Sequence, residues 1–89
     1  MNTFFEEESM ITNYAELYLK KYAQLKKNWC YQQKQGKLIS SSVKRNEYLN
    51  FFNKLCFELS DRTSWDYDYC RTSILKKVKA LKEMRNKSR

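Results

Sequence analysis

The side chains able to act as acids, bases or nucleophiles in this chain are carboxylates, lysines, tyrosines and three cysteines, with no histidine. Without an imidazole there is no Ser-His or Cys-His base, no His-ligated zinc and no histidine pH switch. Asp66 and Asp68 are two positions apart on an expected helix and face different ways, which removes the simplest acid and base pair. Cys30, Cys56 and Cys70 lie 26 and 14 residues apart, with no C-x-x-C pair to begin a metal site. Their odd number does not close a disulfide framework, and a reducing, cytoplasmic setting suits them best. Cys56 and Cys70 fall on or beside apolar stripes, where thiols are usually buried and inert. The single glycine, Gly36, cannot build a phosphate loop or a dinucleotide fingerprint. The sequence therefore predicts a binding protein, not an enzyme, needing neither cofactor nor metal.

Positive charge is the strongest functional signal. The 18 lysines and arginines outnumber the 10 acids, for a net charge of +8. Residues 1–35 carry +1, residues 36–63 carry +2 and residues 64–89 carry +5. Arg71, Lys76, Lys77, Lys79, Lys82 and Arg85, followed by Lys87 and Arg89, are opposed over the last twenty residues only by Glu83. A dense cationic helix attracts polyphosphate and gains affinity by releasing counterions, so DNA, RNA or a nucleoprotein is the expected partner. On a helical wheel these residues surround most of the non-core circumference, which is also the pattern of a helix that is merely solvated. Only Arg71, Arg85 and Asn86 in this segment suit base edges, so general electrostatic contact is better supported than sequence reading. Lys20, Lys21, Lys26 and Lys27 either extend this face or keep the surface soluble. Tyr14, Tyr18 and Tyr22 repeat at four-residue intervals on a core stripe, which favours packing over base stacking.

These residues must be positioned by helices, because apolar residues recur at three and four and no strand-like alternation persists. Ile11, Tyr14, Ala15, Tyr18, Tyr22, Leu25 and Trp29 predict a first helix over about residues 8–34, with Glu6, Glu7, Glu8 and Ser9 at its positive end. Gly36 is the expected left-handed cap. Leu38 and Ile39 are expected to tuck under the bundle while Ser40, Ser41 and Ser42 compete to cap the next helix. Gly36 to Arg45 resembles the turn and recognition-helix start of a helix-turn-helix in its residue types. Its longer spacing and the lack of a small apolar residue in Tyr31–Gln35 favour a capped loop.

Tyr48, Phe52, Leu55 and Leu59 predict a second helix over about 42–59, from which Phe57 projects on the opposite side. Ser60 to Ser64 reads as a polar break. Tyr67, Cys70, Ile74, Val78 and Leu81 then predict a third helix over about 65–86, with Trp65 folding back over its start and the tail from Asn86 fraying. The expected fold class is all-α, a single-domain three-helix bundle. Fourteen aromatics exceed what three short helices need, which leaves homodimerisation open.

The amino-terminal residues carry neither a basic region nor a long apolar run, and nowhere does the sequence approach the roughly 18 to 20 apolar residues of a membrane span. A composition rich in Lys, Asn, Tyr and Ser suggests AT-rich coding DNA and a phage- or plasmid-type regulator. The rival to nucleic-acid contact is a protein inhibitor or adaptor of the anti-defence or host-takeover kind. Such a protein would dock through exposed aromatics, for which Phe57, Trp65 and Tyr69 are the candidates. A membrane-surface role rests only on the basic amphipathic helix.

Overall fold

The computed structural model describes residues 3–87 and consists of three helices, α1 (Thr3–Lys34), α2 (Ser41–Thr63) and α3 (Tyr67–Lys87). The expected small all-α bundle is therefore the fold, and no strand occurs among the described residues. Arg89 lies outside them. Each helix packs on both others, and the pairings set the direction of travel. Tyr14 meets Arg62 and Tyr22 meets Tyr48, so α1 and α2 run antiparallel. The short link after Thr63 reverses the chain again, leaving α3 parallel to α1, with Lys82 over the Tyr22 ring.

Two boundaries move outward from those the pattern implies. α1 begins at Thr3, so Ser9 lies inside the helix and is exposed instead of capping it. The preceding residues include neither Gly nor Pro, and Glu6 in the first turn favours the positive helix end. α2 continues through the polar stretch to Thr63 because that stretch supplies its own bonds. Thr63 Oγ1 donates to the Leu59 carbonyl (2.7 Å) and accepts from Trp65 N–H (3.1 Å), while Ser60 Oγ donates to the Trp65 carbonyl (2.6 Å). Ser64 then takes the left-handed conformation at φ 65° and its N–H closes on the Ser60 carbonyl. These bonds offset the roughly 1 to 2 kcal/mol that such a φ costs a residue with a Cβ. At the other end of the bundle, α3 remains helical through Asn86 and Lys87, where fraying was expected.

The α1–α2 connection is capped from both sides. Gly36 is left-handed (φ +89°), and the bonds Lys37 N–H to Gln32 O and Gly36 N–H to Gln33 O form a Schellman closure. Ser40 Oγ accepts from Val43 N–H and caps α2. The reversal is made by backbone bonds, and Leu38 contributes no apolar contact: it is fully exposed, contrary to the expected tuck, with Ile39 half-buried.

The core is built from Ile11, Tyr14, Ala15 and Leu19 of α1, Phe52, Leu55, Cys56 and Leu59 of α2, and Cys70, Ile74 and Val78 of α3. Leu19 lies off the predicted stripe. It is buried because α1 faces two neighbours and needs a wider apolar face than one contact would require. In α2 no residue before Phe52 is buried, and in α3 none of the described side chains after Val78 is. The aliphatic core thus occupies one part of the bundle, while the part around Tyr22, Trp29 and Tyr48 is held by aromatics.

Candidate nucleic-acid interface

Helix geometry divides the six cations proposed from the sequence. At about 100° per residue, Arg71, Lys79, Lys82 and Arg85 turn to one flank of the Ile74 stripe, within roughly 120° of one another, while Lys76 and Lys77 turn to the other. On that second flank Lys77 Nζ is paired with Glu8 Oε1. Lys76 and Lys77 there line a hollow of about 340 Å³ with Glu8, Ile11, Tyr69, Ser73 and Ala80.

The first flank also meets α1, farther along that helix. Lys82 Nζ lies 5.6 Å from the centroid of the Tyr22 ring, and Lys26 Nζ lies 4.8 Å from the same centroid. Both are within the reach of a cation–π attraction, worth about 0.5 to 1 kcal/mol at an exposed site. Lys26, Lys82, Arg85 and Asn86 line a hollow of about 470 Å³ between the two helices.

Tyr22 is held in place by its neighbours. Its ring stands edge-on to Tyr48 (5.3 Å) and Trp29 (6.2 Å), and stacks with Tyr18 (6.1 Å). Burial, with Tyr22 and Tyr48 nearby, pushes the Tyr18 hydroxyl above its ordinary pKa. Trp29 is buried and its indole N–H donates to Glu47 Oε2 at 3.0 Å, while Lys44 lies over the ring at 5.8 Å. Lys21 stands over Phe51 at the same distance.

The topology also sorts charge along the molecule. The start of α1, the end of α2 and the start of α3 share one end, which gathers Glu6, Glu7, Glu8, Glu58, Asp61, Asp66 and Asp68 against Arg62 and Arg71. The opposite end gathers Lys26, Lys27, Lys34, Lys37, Lys44 and Arg45 with the cations in the last turns of α3, against Glu47 and Glu83. Reading charge along the sequence places most of the positive surplus in α3. Only the parallel run of α1 and α3 reveals that Lys26 belongs with Lys82. The traceable signal was the Lys26-Lys27 pair at four and five residues beyond Tyr22.

The proposed aromatic anchors form two pairs. Trp65, half-buried against the core, stands edge-on to Tyr69 at 5.6 Å, and Tyr69 is half exposed. Phe57 is 64% exposed, yet its ring lies 4.6 Å from that of Tyr67, whose hydroxyl donates to Asn53 Oδ1. Phe57 also lines a shallow hollow with Glu58, Ser60, Asp61 and Ser64.

Of the thiols, Cys56 and Cys70 are wholly buried and Cys30 is exposed. Burial, aided by Cys70, pushes the Cys56 thiol up to about 11, and burial raises Cys70 as well. Both thiols therefore keep their protons at neutral pH. Among the described residues no three His, Cys, Asp or Glu side chains come together as a metal site, and no helix is long and apolar enough to cross a membrane. No protein-family model, curated protein or solved structure matches this chain.

Proposed function

We propose that this is a non-enzymatic nucleic-acid-binding protein that contacts DNA or RNA phosphates through its basic end. The residues involved are Lys76, Lys79, Lys82 and Arg85 of α3, joined by Lys26 of α1, while Arg71 stands among the acids at the start of α3 and Lys77 is paired with Glu8. The observation that carries the reading is the convergence of Lys26, Lys82 and Arg85 on one hollow while most of the acids sit at the far end. Opposite charge at two ends favours end-on approach to a polyanion and opposes the reverse orientation. A cytoplasmic regulator encoded by a phage or plasmid, binding with little sequence preference, is the role that best fits such a small basic bundle.

The test is fluorescence anisotropy with a mixed-sequence duplex over a salt series. About five phosphate contacts give a log-log salt slope of about −4 to −5. Charge reversal at Lys76, Lys79 and Lys82 is expected to weaken binding by roughly tenfold or more, since each lost phosphate contact removes released counterions. Unchanged affinity with an unchanged helical spectrum refutes the reading.

The exposure of Phe57 and Tyr69 favours a second reading, a protein inhibitor or adaptor docking through Phe57, Trp65 and Tyr69. On that reading, Phe57→Ser with Tyr69→Ser abolishes a stoichiometric protein complex that survives nuclease treatment. On the first reading the same pair leaves the anisotropy curve unchanged. A homodimer is compatible with either reading.

A further inference from the structure

We propose that the hollow between α1 and α3 lined by Lys26, Lys82, Arg85 and Asn86 is a phosphate seat, built to hold one phosphate group in a fixed place. It deepens the reading above, and rests on it where the phosphate is taken to belong to a nucleic acid.

Two features separate this hollow from a generally basic surface. The first is its lining. Three other hollows among the described residues, beside Phe57, beside Tyr69 and beside Leu17, each include at least one carboxylate, namely Glu58 and Asp61, Glu8, and Glu16. This one is lined by two ammonium groups, a guanidinium and an amide. The two ammonium groups and the amide supply N–H donors for phosphate oxygens.

The second feature is Tyr22. Both ammonium groups lie over its ring, at 4.8 and 5.6 Å from the centroid, although each repels the other. The ring is itself fixed by Tyr18, Trp29 and Tyr48, so the aromatic cluster holds two long side chains near one place. Holding flexible lysines in advance lowers the entropy lost when an anion arrives. Lys26 comes from α1 and Lys82, Arg85 and Asn86 from α3, so the seat exists only in the folded bundle.

The ligand is a phosphate oxyanion group, and its source is either a nucleic-acid backbone or a free polyphosphate. The full-length chain is titrated with sodium pyrophosphate while the lysine side-chain resonances are followed by NMR, and in parallel with a fluorescent duplex over a salt series. The variant is Lys26→Gln with Lys82→Gln, and the control is Lys20→Gln with Lys54→Gln, on the outer faces of α1 and α2. Pyrophosphate is expected to shift the Lys26 and Lys82 signals first. The variant is expected to weaken pyrophosphate about tenfold and to reduce the magnitude of the duplex salt slope by about 2, one for each cation withdrawn from phosphate. The control leaves both quantities near those of the unaltered chain.

Duplex binding that is equal in variant and control, with no selective pyrophosphate shift, overturns the seat and leaves the proposed function standing. Selective pyrophosphate binding with no duplex or single-strand affinity supports the seat, assigns it to free polyphosphate and overturns the proposed function. Binding of neither ligand overturns both.

Discussion

Leu59→Ala is expected to destabilise the protein by about 3 kcal/mol, within the usual range of about 2 to 5 for a buried leucine. Leu59 is fully buried in α2, among the deepest side chains together with Cys56, Cys70 and Ile74. Removing it leaves a void where all three helices meet, and neighbours anchored on three separate helices cannot all move in to fill it. A chain of this size has a total stability of about 5 to 10 kcal/mol, so the loss is a large fraction of the whole. Thermal unfolding followed by circular dichroism should show a midpoint lower by roughly 12 to 24 °C, at about 4 to 8 °C per kcal/mol. The matched control is Leu38→Ala in the α1–α2 connection. Leu38 is fully exposed, and its removal is expected to change stability by no more than about 0.5 kcal/mol. A cost below about 1 kcal/mol for Leu59→Ala would contradict its place at the centre.

Trp29→Ala carries the second large effect, about 3 to 5 kcal/mol for a buried indole. Its ring is buried at the basic end, where the aliphatic core does not reach and aromatics take over the packing. It contacts Tyr22 within α1 and ties α1 to α2 through the indole hydrogen bond to Glu47. Trp29→Phe keeps most of the apolar contact and gives up the donor. Glu47 is exposed and regains water, so the cost should be about 1 to 2 kcal/mol. Urea unfolding of the two variants distinguishes them. Near-equal stability of Trp29→Ala and the unaltered chain would show that the basic end is held by other contacts. Because Trp29 supports Tyr22, Trp29→Ala should also loosen Lys26 and Lys82 and lower polyanion affinity under conditions where the chain is still folded.

Periodicity made the three helices legible, because Cys70, Ile74 and Val78 or Phe52, Leu55 and Leu59 repeat at the spacing of a single buried face. Gly36 was equally readable, since a lone glycine after a helical run with lysines in its last turn suits the left-handed cap. Helix ends were harder to read. Ser60 to Thr63 has the composition of a loop, and only the bonds among Ser60, Thr63 and Trp65 show that it completes α2. Leu38 misled for a related reason: an apolar residue in a short connection has no periodic partner to reveal which way it points.

The candidate site was half visible. The density of charge in α3 is plain in the sequence, but a wheel drawn for one helix cannot say which flank meets a neighbour. The sequence groups Lys77 with the other cations of α3, and only the fold shows that Glu8, sixty-nine positions earlier, pairs with it. The sequence alone cannot decide whether Lys26 extends the basic face or merely keeps the surface soluble, because its relation to Lys82 depends on α1 and α3 running in the same direction. Tyr22 was read as packing, and its second role, as the surface over which two lysines gather, requires both helices at once.

The sealed thiols have a further consequence. An alkylating reagent reaches Cys30 at once but meets Cys56 and Cys70 only during excursions in which the helices part, so their modification times the opening of the bundle while Cys30 serves as the internal standard. Alkali acts on the same pair. The Cys56 proton is held to about 11 in the folded chain against an ordinary value of 9.0, so its stabilising contribution is intact below 9.0 and fades as pH climbs through 11. Two sulfur atoms at the junction of the helices thus let this bundle report its own breathing without any attached probe.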